Sequence, residues 1–157
     1  MPISVLFVCL GNICRSPAAE GVFRQQTSTA GLEKDFHIAS AGTGAWHIGE
    51  LPDRRMRRAA ERRGIAMTSR ARKVSPDDFE RFDHILAMDQ SNLDTLFDQA
   101  PPQHRHKIRL FRDLDPVEPG QDTPDPYYGG DAGFEEVLDI VERTSERLLA
   151  SLRPPGA

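Results

Sequence analysis

Apolar positions along this chain follow two rhythms. Short runs bearing β-branched and aromatic residues, Ile3 to Val8, Phe36 to Ser40, Phe82 to Met88 and Lys107 to Phe111, read as strands. Between them lie helical patterns: Pro17 to Gln26, and Asp53 to Arg63 stopped by Gly64. A further helix start stands at Ser75-Pro76-Asp77-Asp78, with a capping serine and an acidic first turn, and Ser91 to Asp98 forms another candidate. The last helix is the clearest, because Phe134, Val137, Leu138, Val141, Leu148, Leu149 and Leu152 recur at three- and four-residue spacing as one stripe. This alternation predicts an α/β fold of three layers: a central four-stranded parallel sheet flanked by helices on both faces. The ligand site is then expected beyond the C-terminal ends of the strands. Asp113 to Asp131 is rich in Pro, Gly and Asp and predicts a long irregular loop, a kind of segment that usually carries function.

Composition narrows the picture. At 157 residues with a formal net charge of −4, the chain fits a single domain over 1–157. The opening Met1-Pro2-Ile3-Ser4 has no basic leader, and the apolar stretch after it is too short to span a bilayer; a cytoplasmic chain without membrane insertion is expected. Two cysteines, Cys9 and Cys14, exclude a disulfide scaffold and suit a reducing compartment. Beyond the His104 and His106 pair, the histidines at 37, 47, 84, 104 and 106 show no metal-ligand spacing with carboxylates or thiols and are expected at the surface, so neither metal nor cofactor is implied. Nearly half of the basic residues fall between Arg54 and Lys73, against an acidic remainder. With no nucleic-acid motif present, that run reads as a solvated face, with steering of acidic, phosphorylated substrates as the alternative.

The stretch Cys9-Leu10-Gly11-Asn12-Ile13-Cys14-Arg15-Ser16 carries the chemistry. It joins a strand end to a helix start, with Ser16 and Pro17 suited to the N-cap and first turn. Unpaired N–H groups and the helix dipole there favour a phosphate-sized dianion. A thiol in that field, near Arg15, favours its nucleophilic thiolate form, and Arg15 can fork two N–H bonds onto two phosphoryl oxygens. Gly11 and Asn12 are residue types that tolerate positive φ, which a loop turning its amides toward one centre requires.

Joined to Asp125-Pro126-Tyr127-Tyr128-Gly129, and with Ser40-Ala41-Gly42-Thr43 and Met88-Asp89 with Asn92 between, this loop resembles that of the low-molecular-weight protein tyrosine phosphatases. The resemblance spans nearly the whole chain. It implies hydrolysis of protein phosphotyrosine and small aryl phosphates through a cysteinyl-phosphate, without metal. Cys9 would be the nucleophile and Asp125 the acid that protonates the leaving phenolate and then the base that activates water. Arg15 and the loop of Leu10, Gly11, Asn12, Ile13, Cys14 and Ser16 would hold the equatorial oxygens. The family further implies that Ser16 hydrogen-bonds the thiolate, that Ser40 holds Asn12, and that Trp46, Tyr127 and Tyr128 wall the substrate ring. Cys14 would form a reversible disulfide with Cys9. A histidine that the family often places near Ser69 is absent, so the support around Asn12 must be built differently. Partners implied are tyrosine-phosphorylated proteins and a cognate tyrosine kinase, acting on a monomer or weakly self-associating chain. Two neighbouring functions fit less well. Arsenate reductases of this fold need further cysteines after Cys14, and protein arginine phosphatases usually carry threonine where Ile13 stands.

Overall fold

The computed structural model describes residues 2–127 and 129–153. Its elements run β1 (Ile3–Cys9), α1 (Arg15–Thr29), β2 (Phe36–Gly42), α2 (Arg54–Glu61), α3 (Pro76–Arg81), β3 (His84–Ala87), α4 (Gln90–Gln99), β4 (Ile108–Leu110) and α5 (Asp131–Leu152). The four strands form one sheet in the order β2-β1-β3-β4, and every neighbouring pair is parallel.

β1 shows why the layers form. Its side chains alternate across the sheet: Val5, Phe7 and Cys9 join one core with Phe23 of α1, Met56 of α2 and Phe134, Val137, Leu138 and Val141 of α5. Leu6 and Val8 join the other core, with Phe79 of α3, Leu96 of α4 and Phe82. Both faces of this strand are covered, so its sequence is a continuous apolar run instead of an alternating one. Phe7 sits at the centre, edge-on to Phe23 at 5.8 Å and to Phe111 at 5.6 Å.

All four expected strands and all five expected helices are present; the differences lie at their ends. α1 begins at Arg15 with Cys14, not Ser16, in the N-cap position, because the Ser16 hydroxyl is engaged elsewhere. α3 carries the expected capping box between Ser75 and Asp78. No helix among the described residues is long and apolar enough to cross a membrane.

The segment after β4 is irregular, as its composition requires, yet firmly anchored. The buried Asp115 carboxylate accepts from Arg112 Nε at 3.0 Å, from Arg143 Nε and Nη2 at 2.9 Å each, and from the Val117 N–H at 2.9 Å. Burial works to raise the Asp115 pKa, but the hydrogen bonds from Arg143, Val117 and Arg112 outweigh it and hold the carboxyl well below the usual carboxylate range. Arg112 Nη1 donates to the Asp122 carbonyl at 2.7 Å and the Thr123 N–H to the Met88 carbonyl at 2.7 Å, which ties the segment's far end to the end of β3.

Candidate active site

The sheet order changes direction between β1 and β3, and Cys9 ends β1 at that point, where ligands of open α/β sheets bind. The first intrahelical bond of α1 runs from Ala18 N to Cys14 O, so the amides of Cys14, Arg15 and Ser16 precede it and have no intrahelical acceptor.

Polar contacts lock the loop from within. Asn12 has φ +57°, the one non-glycine residue in the left-handed region among those described. Its N–H lies 3.3 Å from Cys9 Sγ, and Ser16 Oγ lies 3.0 Å from the same sulfur. Asn12 Nδ2 donates to Ser16 Oγ at 2.8 Å and to Ser40 Oγ at 3.0 Å, while its Oδ1 accepts from the Arg72 N–H at 3.0 Å. Every polar atom of the Asn12 amide side chain is thereby used.

Behind Ser40 stands Glu20, whose Oε1 accepts from Ser40 Oγ at 2.6 Å and Ser69 Oγ at 3.0 Å, and whose Oε2 accepts from Arg24 Nε at 3.1 Å. A carboxylate only accepts, so Ser40 points its proton at Glu20 and its lone pair at Asn12; Ser16, accepting from Asn12, has its own proton to turn to Cys9 at 3.0 Å or to the Ala41 carbonyl at 3.4 Å. Ser69 thus joins the network that supports Asn12. Glu20 sits four residues after Ser16 on one helix, but nothing local marks a helix acid as an anchor for two hydroxyls from other elements.

Gly11 corrects one expectation, since its backbone does not adopt positive φ. A Cβ there would stand 3.0 Å from His47 Cδ2, so the residue is small to admit a neighbouring ring. At Gly42 a Cβ would meet the Leu10 carbonyl oxygen at 2.8 Å, which explains glycine at the end of β2 beside the loop.

Arg15 is buried, and its Nη1 donates to Asp89 Oδ2 at 2.7 Å and to the Thr123 carbonyl at 3.1 Å. Its Nη2 lies 3.6 Å from Asp125 Oδ2. Burial opposes the Arg15 charge, but Cys9, Asp89 and Asp125 outweigh it and raise the pKa further above its ordinary value. Asp89 serves twice, because its other oxygen accepts the Asn92 N–H at 2.8 Å and caps α4. The N-cap role is readable from sequence; the grip on Arg15, 74 residues away, is not.

Asp125 Oδ1 accepts from the Tyr127 N–H at 3.1 Å. A second brace joins this segment to the loop. The Asp53 N–H donates to the Ile13 carbonyl at 2.7 Å, the Asp53 carboxylate accepts from Arg55 N at 2.8 Å, and Arg55 Nη2 donates to the Tyr127 carbonyl at 2.7 Å.

Cys9, Leu10, Gly11, Ile13, Cys14, Arg15, Trp46, His47, Asp125 and Tyr127 line a cleft of about 320 Å³, at the lower end of the range for small-ligand pockets. Asn12, Ser16 and Ser40 stand behind it. Tyr128 lies outside the described residues. The histidines are corrected in part: His37 and His106 are exposed, but His47, His84 and His104 are half-buried, and His47 is a wall of the cleft, held by Glu50 at 2.8 Å. Both cysteines are free and buried. Burial, then Asp53 and Cys9, push the Cys14 thiol far above its ordinary value, so Cys14 stays protonated. No cluster of metal-ligating side chains occurs among the described residues.

The sequence profile described as Low molecular weight phosphotyrosine protein phosphatase matches residues 4–155. The chain belongs to this family. With the family comes its enzyme class, protein-tyrosine phosphatase, a phosphoric monoester hydrolase. A putative low molecular weight protein-tyrosine-phosphatase of Synechocystis sp. is 46% identical over 151 residues, 96% of either chain. The Homo sapiens low molecular weight phosphotyrosine protein phosphatase is 43% identical over 148 residues, 93% of each. Among solved structures, a protein tyrosine phosphatase from Entamoeba histolytica with Hepes in the active site superposes with a TM-score of 0.93 at 43% identity over 96% of both chains. The three-layer fold with its four parallel strands is common to this phosphatase and its structural relatives.

Proposed function

We propose that this phosphatase hydrolyses protein phosphotyrosine and small aryl phosphates through a cysteinyl-phosphate on Cys9, with Asp125 as acid and base and no metal. The observation that carries this reading is convergence: the sulfur and the Arg15 guanidinium come from the one loop between β1 and α1, the Asp125 carboxylate comes from a segment far downstream, and all three line one cleft.

Cys9 Sγ attacks phosphorus in line with the tyrosyl oxygen, the P–O bond breaks, and Asp125 delivers a proton to the departing phenolate. A phenol has a pKa of about 10, so its expulsion as an anion at neutral pH is slow without that proton. In the second step Asp125 takes a proton from water as the water attacks phosphocysteine, and the S–P bond breaks to release phosphate and the thiolate. The Ser16 hydroxyl and the Asn12 N–H, both within hydrogen-bond reach of the sulfur, stabilise that leaving thiolate. Arg15 and the loop amides hold the equatorial oxygens, where charge accumulates. A dianion on Arg15 competes for the guanidinium that Asp125 otherwise faces, which frees the carboxyl for the leaving oxygen. Trp46 and Tyr127 flank the ring.

The partners proposed are tyrosine-phosphorylated proteins, including a cognate tyrosine kinase, in the cytoplasm. Cys14 is proposed to protect the nucleophile: a Cys9 sulfenic acid formed by peroxide condenses with the Cys14 thiol to a disulfide and water, and an external thiol reduces it. Recovery after mild peroxide and then thiol should fall in Cys14→Ala; full recovery in that variant removes the protective role.

Phosphate release from a phosphotyrosyl peptide under metal chelation tests the main reading. Turnover in wild type and none in Cys9→Ser is expected. Equal turnover in the two proteins, or turnover lost on chelation, overturns it.

A further inference from the structure

The basic run from Arg54 to Lys73 is only partly a solvated face. Arg62 pairs with Glu135 of α5 at 2.8 Å, and Arg63 reaches Glu135 and Asp139 at 2.9 Å each and Glu142 at 3.3 Å, so these two cement α2 to α5. Arg72 pairs with Asp78 at 2.9 Å. Arg57 and Arg70 donate to the backbone carbonyls of Pro52 and Gly49, both at 2.9 Å. Arg54, Arg58 and Lys73 remain with no ion-pair partner among the described residues. Of these, Arg58 lines a cavity.

That cavity, about 90 Å³, lies between α2 and the start of α5, lined by Arg55, Arg58, Arg62, Asp131 and Phe134. Three arginines and a single acidic residue thus share its lining. Asp131 sits in the first turn of α5, where its charge is directed toward the helix dipole. Arg55 and Arg62 already have acidic partners but keep further N–H donors, since each guanidinium carries five. The Arg55 guanidinium lies 4.7 Å from the Phe134 ring centroid, which fixes its plane.

The cavity adjoins the catalytic cleft. Arg55 lines the cavity, Tyr127 lines the cleft, and the two touch: the Arg55 guanidinium carbon stands 5.8 Å from the Tyr127 ring centroid and Arg55 Nη2 donates to the Tyr127 carbonyl. One tyrosine ring therefore separates the two sites. An extended peptide advances roughly 3.3 Å per residue, so a side chain two or three residues from a seated phosphotyrosine lies roughly 7–10 Å along the chain, the scale of one intervening ring.

We propose that the Arg58 cavity is a second anion subsite, taking an oxyanion of the substrate polypeptide: the carboxylate of Asp or Glu, or a second phosphoryl group, near the phosphotyrosine. This rests on the phosphotyrosine reading above. Arginine suits the task because its planar fork grips carboxylate and phosphate through two bonds at once.

The test compares kcat/KM for three phosphotyrosyl peptides, with neighbouring glutamine, glutamate or a second phosphorylated residue, and for a small aryl phosphate. Wild type is expected to favour the glutamate peptide over the glutamine peptide by about two- to five-fold, the range an exposed ion pair supports. The doubly phosphorylated peptide, with its larger charge, should gain at least as much. The advantage should sit in KM, vanish in Arg58→Gln, reverse in Arg58→Glu and grow in Asp131→Asn, with the aryl phosphate unchanged throughout. A gain for only one of the two acidic peptides assigns the cavity to that oxyanion. No preference in wild type, or an equal preference in Arg58→Gln, overturns the subsite while leaving aryl phosphate turnover intact. Loss of aryl phosphate turnover in wild type overturns the catalytic reading and the subsite with it.

Discussion

The cleft has a floor and a rim, and they are built on opposite principles. On the floor, Cys9, Asn12, Arg15 and Ser16 are buried, and each polar atom of the Asn12 side chain has a partner. On the rim, Trp46 is 71% exposed, and the Asp125 side chain, which marks the boundary, is 41% exposed. A phosphoryl group is the same in every substrate, so a fixed, dry, saturated network serves the floor; desolvation strengthens each of its hydrogen bonds and lets none be lost cheaply. The polypeptide around phosphotyrosine varies, and exposed aromatic and basic side chains can meet it without carrying the chemistry. Losses at the floor should therefore be large and independent of the peptide, and losses at the rim small and dependent on it.

Asp125→Asn tests the boundary most sharply. Removing the proton donor should lower kcat by about 10²–10⁴-fold for phosphotyrosyl peptides, and by less for an aryl phosphate whose leaving phenolate needs no proton. Stopped-assay kinetics on both substrates would check this, and an equal loss on the two would deny Asp125 the acid role. Asp115→Asn asks what holds the segment bearing Asp125. It leaves Arg112 and Arg143 without their shared carboxylate, and a loss of about 3–5 kcal/mol is expected in chemical denaturation. The pH sign follows from the depressed Asp115 pKa. Its stabilisation is complete above the ordinary carboxylate range and is lost as pH falls from there toward the folded value, so wild type should weaken below about pH 4. The Asn variant should show a shallower acid slope; parallel slopes would place the acid sensitivity elsewhere.

Glu20→Gln touches the floor from behind. A neutral amide keeps the shape but weakens the bonds to Ser40, Ser69 and Arg24, at about 1–3 kcal/mol of stability. Turnover should fall by the same factor for peptide and aryl phosphate, since the effect reaches substrate only through Asn12 and Ser16. A loss confined to peptides would move Glu20 to the rim. Trp46→Ala should give the smallest change, a rise in KM of about two- to five-fold for peptides with kcat held, because one exposed ring wall contributes on the order of 1 kcal/mol. An unchanged KM would mean that Trp46 does not touch substrate.

Much of this protein was readable before folding, and what was readable shares a cause. Strand and helix types follow from local periodicity: the apolar run of β1, the stripe from Phe134 to Leu152, and the capping box at Ser75 and Asp78 each state their structure within a few residues. The loop from Cys9 to Ser16 is equally local, since strand end, helix start and nucleophile lie within eight positions. Tertiary structure alone decided the partners that arrive from afar. Asp89 comes 74 residues along the chain to hold Arg15, Ser69 comes 49 residues to reach Glu20, and Arg55 comes 72 residues before Tyr127 to clamp its carbonyl. His47 became a wall of the cleft and the arginines after Arg54 divided between cement and cavity for the same reason. A charged or hydroxyl side chain has the same local signature whether it faces water or a buried partner, and only the packing of β1, α2 and α5 around one strand end settles which.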